Sequence, residues 1–201
     1  RMSATPGARP LFYSFANHAC WAGTEWLRGP GALAGSVREF LALVAATGAR
    51  GSLHCDGVGL EKLAAEAPEV LAALGAALAA GQVELVGGTY GAPVGLFHGG
   101  ESNVRQRVLG VRAARRLLGR APRVAWEAQF AFFPQLPQLL ARTGFRAAAL
   151  VYEQGWSTPS VPLEEGALVV WEGLDGTALP ALARTAHCLG PRALDLQGEL
   201  A

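Results

Sequence analysis

Residues 83–150 read VELVGGTYGAPVGLFHGGESNVRQRVLGVRAARRLLGRAPRVAWEAQFAFFPQLPQLLARTGFRAAAL, and this stretch decides the fold class. Short apolar runs alternate with longer segments in which apolar residues recur at helical spacing. Glycine and proline mark the ends of these segments, as Gly119 and Pro122 do after the longest one. The predicted elements are a strand at 83–86, a helix beginning at 101–102, a strand at 123–126, a helix at 134–143 and a strand at 147–152.

Strands that alternate with helices in this way form right-handed βαβ units and a parallel sheet. In such sheets the binding and catalytic residues lie in the loops after the carboxyl ends of the strands. Here those loops are residues 87–99, 127–133 and 153–160. We therefore predict an α/β fold whose functional site lies along this edge, which is called the rim below.

The remainder of the chain continues the alternation. Ser36 with Glu39 has the pattern of a helix capping box, and Pro68 divides an apolar helical stretch at 60–80 into two helices. The remaining predicted elements are a strand at 11–16 followed by a loop at 17–21, a strand at 51–55, a strand at 167–171 and a short helix at 177–184 broken near Pro180.

Composition limits the functional classes. The 201 residues, 51% of them hydrophobic, suffice for one domain with a full core, and a net charge of +1 argues against nucleic acid or a membrane surface as a partner. No apolar run approaches a membrane span, and residues 1–10 lack the apolar core of a signal peptide. The three cysteines do not form a disulfide framework, so we expect a cytoplasmic protein.

Four motifs in sequence carry a family resemblance. VELVGGTY, GESNVRQ with Gly110 following, WEAQF and QLPQLLARTGF together resemble the N-terminal catalytic domain of glycoside hydrolase family 38, the α-mannosidases, and more loosely family 57. The segment WEGLDG at 171–176 resembles a further element of bacterial family-38-like proteins. The resemblance implies a (β/α)7-type barrel that acts on a carbohydrate, with zinc as cofactor.

The resemblance also implies a metal site. The family has a zinc-binding His-x-Asp pair after the first strand; His18 matches the histidine, and Cys20, whose thiolate is a competent zinc ligand, replaces the aspartate. His54 and Asp56 form a second His-x-Asp pair, but it follows the second strand, so the family's role does not carry over to it. In a parallel sheet this pair would still open onto the same rim as His18. The alternatives are a histidine bonded to backbone beside an inert cysteine, and an Asp-Gly turn beside an uninvolved histidine.

The catalytic position is substituted. The family nucleophile is an aspartate three residues after a tryptophan, and counting from Trp126 places the amide of Gln129 there. Aligned on QLPQ instead, the nucleophile position falls on Ala128. Glu127 is the nearby carboxylate, whereas a glycosidase normally needs two.

Candidate ligand contacts surround these positions. The family resemblance implies that Arg105 lies close to the rim and holds a carboxylate; the alternative is a structural role. Aromatic residues at the rim suit a sugar, although each could equally be a core residue; the candidates are Tyr90, Trp126, Phe130 and Trp156.

Three functions remain open from the sequence. The chain is a glycoside hydrolase-like domain that binds a carbohydrate and zinc, a non-catalytic carbohydrate-binding or scaffolding barrel, or a deacetylase-like metal hydrolase. Five or six strands in 201 residues are few for a barrel, which typically needs about 250 residues. The single predicted domain, 1–201, is therefore either a shortened barrel or a fragment of a longer chain. The sequence does not determine the oligomeric state.

Overall fold

A computed structural model of the chain describes residues 16–128, 133–152 and 168–185. In chain order the elements are β1 (Ala16–Ala19), α1 (Trp21–Arg28), α2 (Ala32–Thr47), β2 (Gly51–Cys55), α3 (Gly57–Glu66), α4 (Pro68–Ala79), β3 (Val83–Val86), a 3-10 turn (Gly95–Phe97), α5 (Gly100–Leu118), β4 (Val124–Ala128), α6 (Leu136–Thr143), β5 (Ala147–Tyr152), β6 (Leu168–Glu172) and β7 (Ala178–Thr185). No helix in these ranges has the length and apolarity needed to cross a membrane.

The strands form two sheets. The first has the order β1-β2-β3 and is parallel throughout, and the second has the order β4-β5-β7-β6, with only β6 antiparallel to its neighbour. The Gly87 N–H donates to the Val124 carbonyl at 3.0 Å and connects the sheets where β3 passes β4. The predicted α/β class with parallel strands is confirmed. Within the described ranges the sheets do not close, so a barrel is not shown.

Two apolar clusters hold the helices on the sheets. One face of the first sheet, including Leu53 and Leu85, packs against Val37, Leu63 and Leu74 from α2, α3 and α4. The second cluster joins β4, β5 and β7 to α6 and α5; its buried members include Ala125, Leu140, Ala148, Val111 and Leu179. Burial of this apolar surface is the main force that holds each helix on its sheet.

Most predicted elements are confirmed. The strands at 51–55, 83–86 and 147–152 have the predicted bounds. Pro68 occupies the first turn of α4, where its missing N–H costs nothing. The helix opened by the Glu101 segment ends before Gly119, which adopts a left-handed φ of 67°.

The predicted capping box at Ser36 is wrong. Helix α2 begins one turn earlier, at Ala32, and Ser36 lies inside it. The Glu25 carboxylate of α1 accepts the Leu33 N–H at 2.9 Å, so a side chain distant in sequence satisfies a donor at this helix end. That contact allows the helix to start before its local signal.

Two further predictions are wrong near the ends of the described ranges. The predicted loop at 17–21 instead contributes its first residues to β1, and α1 begins at Trp21. Of the predicted first strand, only Ala16 lies within the described residues. The predicted helix at 177–184 is strand β7: Leu179 and Ala181 are buried while Pro180 is exposed, which is the alternation of a strand. Pro180 is tolerated because the pairing of β7 with β5 begins only at Ala181, so Pro180 lies near the start of the strand where β6 is its one paired neighbour.

Candidate functional site

The carboxyl ends of β1, β2 and β3 lie side by side at the rim. His18 on β1 is paired with His54 on β2, which is paired in turn with Val86 on β3. The His54 imidazole is 4% exposed and lies against Gly87, where an added Cβ would be 2.3 Å from the His54 Cδ2 atom. Glycine is therefore required for the loop after β3 to pass this histidine. Of His18 only the backbone is described.

Asp56 stands where two helices begin. Its carboxylate is 1% exposed and accepts the Gly59 N–H in α3 at 2.8 Å and the Trp21 N–H in α1 at 3.2 and 3.3 Å. Burial raises the pKa of Asp56 from 3.8 to about 6, while these backbone hydrogen bonds pull in the opposite direction. Asp56 therefore orients both helices relative to the rim.

The described residues do not fit a zinc site. They contain no group of three or more histidine, cysteine, aspartate or glutamate side chains that could hold a metal ion. Both oxygens of Asp56 already accept backbone N–H groups. Burial, with the nearby charges of Asp56 and Cys20, raises the pKa of the Cys55 thiol well above its usual value and keeps this sulfur protonated. Cys20 is a half-buried free thiol at the start of α1.

The loop after β3 is held by backbone contacts with two helices. The Thr89 and Tyr90 carbonyls accept the Gly57 and Val58 N–H groups that begin α3, at 3.0 and 2.8 Å. On the other side, Gln106 of α5 accepts the Tyr90 N–H with its carbonyl and the Gly91 N–H with its side chain, both at 2.8 Å. The loop thus lies fixed between α3 and α5.

Helix α5 approaches this loop closely because it carries Gly110. A Cβ added at Gly110 would lie 2.3 Å from the Gly88 carbonyl oxygen. Any larger residue would push the helix away from the loop, so Gly110, part of the motif noted in the sequence, has a packing role here.

Tyr90 anchors the outer side of the same loop. Its hydroxyl donates to the Glu61 carboxylate at 2.8 Å, and Arg116 of α5 forms an ion pair with the same carboxylate. The hydrogen bond to Glu61 raises the pKa of the Tyr90 phenol. Tyr90, predicted as a ligand contact, thus also connects α3 to α5.

The buried face of α5 is polar where it meets the rim. Asn103 and Arg107 are both buried, and the Arg107 guanidinium donates to the Asn103 carbonyl and side-chain oxygens at 3.2 and 3.3 Å. The guanidinium also lies 5.8 Å from the centre of the Phe133 ring, which follows β4. This pair connects the loops that follow β3 and β4.

The Asn103 amide fixes the tip of the loop after β3. It donates to the Gly95 and His98 carbonyls at 2.9 and 3.0 Å. The 3-10 turn between these carbonyls presents Phe97, which is 83% exposed. A buried amide therefore holds a large aromatic ring in solvent at the rim.

Arg105 lies on the surface rather than in a pocket. Its guanidinium Nε donates to the Glu101 carboxylate, one helical turn away, at 2.7 Å, and both side chains are largely exposed. Such an exposed pair contributes little to stability. Its predicted contact with substrate remains a prediction.

Trp126 and His54 come together across the two sheets. Their ring centres are 6.4 Å apart, and the buried Trp126 Nε1 has no hydrogen-bond partner among the described residues. An indole N–H can only donate, so its acceptor is a water molecule, a ligand or a group in the remainder of the chain. Glu127, the next residue of β4, is described only in its backbone, paired with Leu150. Gln129, Phe130 and Trp156 lie outside the described residues.

The rim thus combines the exposed ring of Phe97, the buried indole N–H of Trp126 and a loop held by hydrogen bonds at Tyr90. A family model described as Glycosyl hydrolases family 38 N-terminal domain matches residues 60–190, which is more than half of the chain. The chain belongs to glycosyl hydrolase family 38. The resemblance carried by the sequence motifs is thereby confirmed. No match was found among the curated protein sequences.

Solved structures of similar fold include two family-38 proteins. A glycosyl hydrolase family 38 protein from Enterococcus faecalis superposes with a TM-score of 0.60 over 85% of this chain and 18% of its own length, at 23% identity. An α-mannosidase from Enterococcus faecalis V583 gives a TM-score of 0.55 over 73% and 17%, also at 23% identity. A 4-α-glucanotransferase from Thermococcus litoralis gives 0.64 over 86% and 27%, at 18% identity. The chain thus spans about a quarter or less of each of these structures.

Sequence reasoning missed the three residues that organise the rim loop of this family-38 chain. Asn103, Arg107 and Phe97 were not among the predicted site residues. The spacing held a signal for the first two, because positions 103, 107, 110, 111 and 114 share one helical face. Val104 and Val108 also recur at helical spacing, and this apolar pair pointed to the neighbouring face as the buried one. In the structure these two valines are only half-buried. No local signal distinguished Phe97 from a core residue.

Proposed function

We propose that this chain is a glycoside hydrolase-like domain that binds a carbohydrate at the rim. The observation that carries the proposal is Phe97, an aromatic ring held in solvent on a loop whose backbone is fixed by a buried amide. An exposed aromatic ring forgoes the favourable free energy that it would gain if its apolar surface were removed from water. A sugar ring, which carries C–H groups on one face and hydroxyls around its edge, would cover it.

Membership of the family supports a glycoside as the ligand class. The Trp126 N–H offers a buried donor beside His54, and Tyr90 holds the neighbouring loop in place. In this proposal Phe97 stacks on one sugar face, while Trp126 donates a hydrogen bond to a sugar oxygen. Further contacts from Phe130, Trp156 and Arg105 remain predictions from the sequence, as does closure of the strands into a (β/α)7-type barrel.

Hydrolysis in this proposal depends on Glu127. A retaining mechanism needs two carboxyl groups about 5 Å apart, one as nucleophile and one as acid. Counted from Trp126, Gln129 occupies the nucleophile position and cannot supply a carboxylate, so Glu127 would act together with a second carboxyl group. The proposal includes no step through zinc, because the described side chains do not fit that ion.

The same substitution favours a second function, a non-catalytic carbohydrate-binding domain. An amide at the nucleophile position can donate and accept hydrogen bonds with sugar hydroxyls. Asp56, the carboxylate closest to His54 in sequence, is already committed to two helix ends. A domain with these residues would keep sugar affinity and lose turnover.

Binding and turnover are tested separately. Binding to immobilised mannosides and other glycosides is measured for the wild type, Phe97→Ala and Trp26→Ala; Trp26 is 84% exposed but lies on α1 outside the rim loops. We expect the affinity to fall at least about tenfold in Phe97→Ala, equivalent to about 1.4 kcal/mol, and to be unchanged in Trp26→Ala. Equal affinity in all three proteins would remove Phe97 from the site.

Turnover is measured with aryl α-glycosides. Hydrolysis by the wild type that disappears in Glu127→Gln supports the hydrolase. Binding without detectable hydrolysis in the wild type supports the non-catalytic domain. Absence of both binding and hydrolysis for every glycoside would overturn the two proposals together.

A further inference from the structure

A basic cavity lies at the opposite edge of the sheets, below the amino ends of the strands. It has a volume of about 1000 Å³ and is lined by the first residues of β2 and β3, by the segments that precede β4 and β5, and by the carboxyl ends of α5 and α6. Its charged lining residues are Arg50, Glu84, Arg115, Arg120, Arg123 and Arg146. The rim proposed for carbohydrate lies at the other ends of the same strands.

The charge of this cavity is unusual for the chain. Five arginines against one glutamate give a local charge of +4, whereas the whole chain carries +1. In the described part of the chain, ion pairs hold other arginines, including Arg38, Arg105 and Arg116, and none of the five that line the cavity. All five are exposed. Among the described residues, Glu84 is thus the one carboxylate in the lining, and it balances only a fifth of this positive charge.

The negative carboxyl ends of nearby helices offset only part of this positive charge. Helices α2, α4, α5 and α6 run opposite to the strands and end at this edge, and each carboxyl end carries about half a negative charge. Four such ends supply about −2 in total. Arg115, in the last turn of α5, is well placed to compensate its own helix. A surplus of about +2 remains after this compensation.

We propose that the cavity binds a small molecule that bears two or more phosphate groups. Guanidinium groups present planar pairs of N–H donors that match phosphate oxygens, and several of them around one concavity suit a compact, multiply charged anion. The volume lies at the upper end of the range of small-molecule sites, about 300–1,000 Å³. Since the cavity and the rim lie at opposite ends of the strands, the anion and the sugar bind to separate sites.

Titration calorimetry with inorganic pyrophosphate tests this site. We expect one pyrophosphate per chain, with an affinity that falls steeply as salt is added. Arg115→Gln should weaken binding at least about tenfold, because it removes a charged hydrogen-bond donor. Arg112→Gln is the matched control: Arg112 is also exposed, lies on the same helix and does not line the cavity.

Glu84→Gln separates a specific site from a folding defect. Removing the acidic lining residue should increase pyrophosphate affinity severalfold, a gain that a misfolded protein cannot produce. No binding at millimolar pyrophosphate would overturn the proposal. Equal losses in Arg115→Gln and Arg112→Gln would do the same, since they would show only a general attraction between a basic surface and an anion.

Discussion

Replacement of Asp56 by asparagine tests whether burial or backbone hydrogen bonding has the larger effect on the charge of Asp56, where α1 and α3 begin. The aspartate is buried and accepts backbone N–H groups from both helices. Asparagine keeps a side-chain oxygen for the Gly59 N–H and is an equally good helix cap, but it cannot ionise. The substitution therefore removes the charge while it preserves most of the geometry.

The pKa of Asp56 sets the sign and size of the effect. Burial raises it from 3.8 to about 6, so the folded protein binds this proton more tightly than the unfolded chain does. The contribution of Asp56 to stability is then fully present at low pH and decreases as the pH rises through the folded pKa. The full shift of about two pK units corresponds to about 3 kcal/mol.

Urea unfolding of both proteins, with a chelator present, measures this contribution. Between about pH 4.5 and about pH 7.5 the wild type should lose about 2 kcal/mol of unfolding free energy relative to Asp56→Asn. The other titrating groups are common to both proteins and cancel in the difference. A difference that stays constant with pH would show that folding does not raise the pKa of Asp56. A wild type that gains relative stability as the pH rises would show that the hydrogen bonds and helix ends outweigh burial.

Two other perturbations test packing and metal binding. Gly110→Ala should destabilise the protein by about 1–3 kcal/mol, because its Cβ would collide with the Gly88 carbonyl oxygen; Gly75→Ala, with its nearest neighbour 4.0 Å away in a helix, should instead stabilise it by up to about 1 kcal/mol in the same unfolding assay. If neither variant differs from the wild type, the close approach of α5 to the loop is refuted. Elemental analysis of the purified wild type and of His18→Ala tests the zinc site predicted after the first strand. Near-stoichiometric zinc in the wild type that is lost in His18→Ala would support that site, and equal zinc content in the two proteins would remove His18 from it.

Much of the fold was predictable because its signals are local. Apolar runs such as 83–86 and 147–152 are bounded by glycine or proline, and Pro68 can occupy only the first turn of a helix in its stretch. Where a contact distant in sequence replaced the local signal, the prediction was wrong. The Glu25 carboxylate moved the start of α2 away from Ser36 in this way.

Strand β7 is a second segment whose structure was decided by contacts distant in sequence. Its sequence, ALPALART, contains alanine and leucine, which favour a helix, and the proline was read as a helix break. The neighbouring strands β5 and β6 both offer free backbone groups to this segment, and pairing with them on each side decides its conformation. The helix or strand propensities of single residues do not include the effect of two neighbouring strands.

The same distinction between local signals and distant contacts applies to the candidate site. The order of residues along the chain was sufficient to predict the alternation of strands and helices and the family, because both depend on local patterns and motifs. The substitution at Gln129 stays a prediction. How the side chains are used became clear from the folded chain: Asp56 accepts N–H groups from two helix ends, Asn103 holds the loop that exposes Phe97, and five arginines from separate elements and connections line one cavity. These roles depend on residues far apart in sequence, whose distances are set by the packing of helices on the sheets.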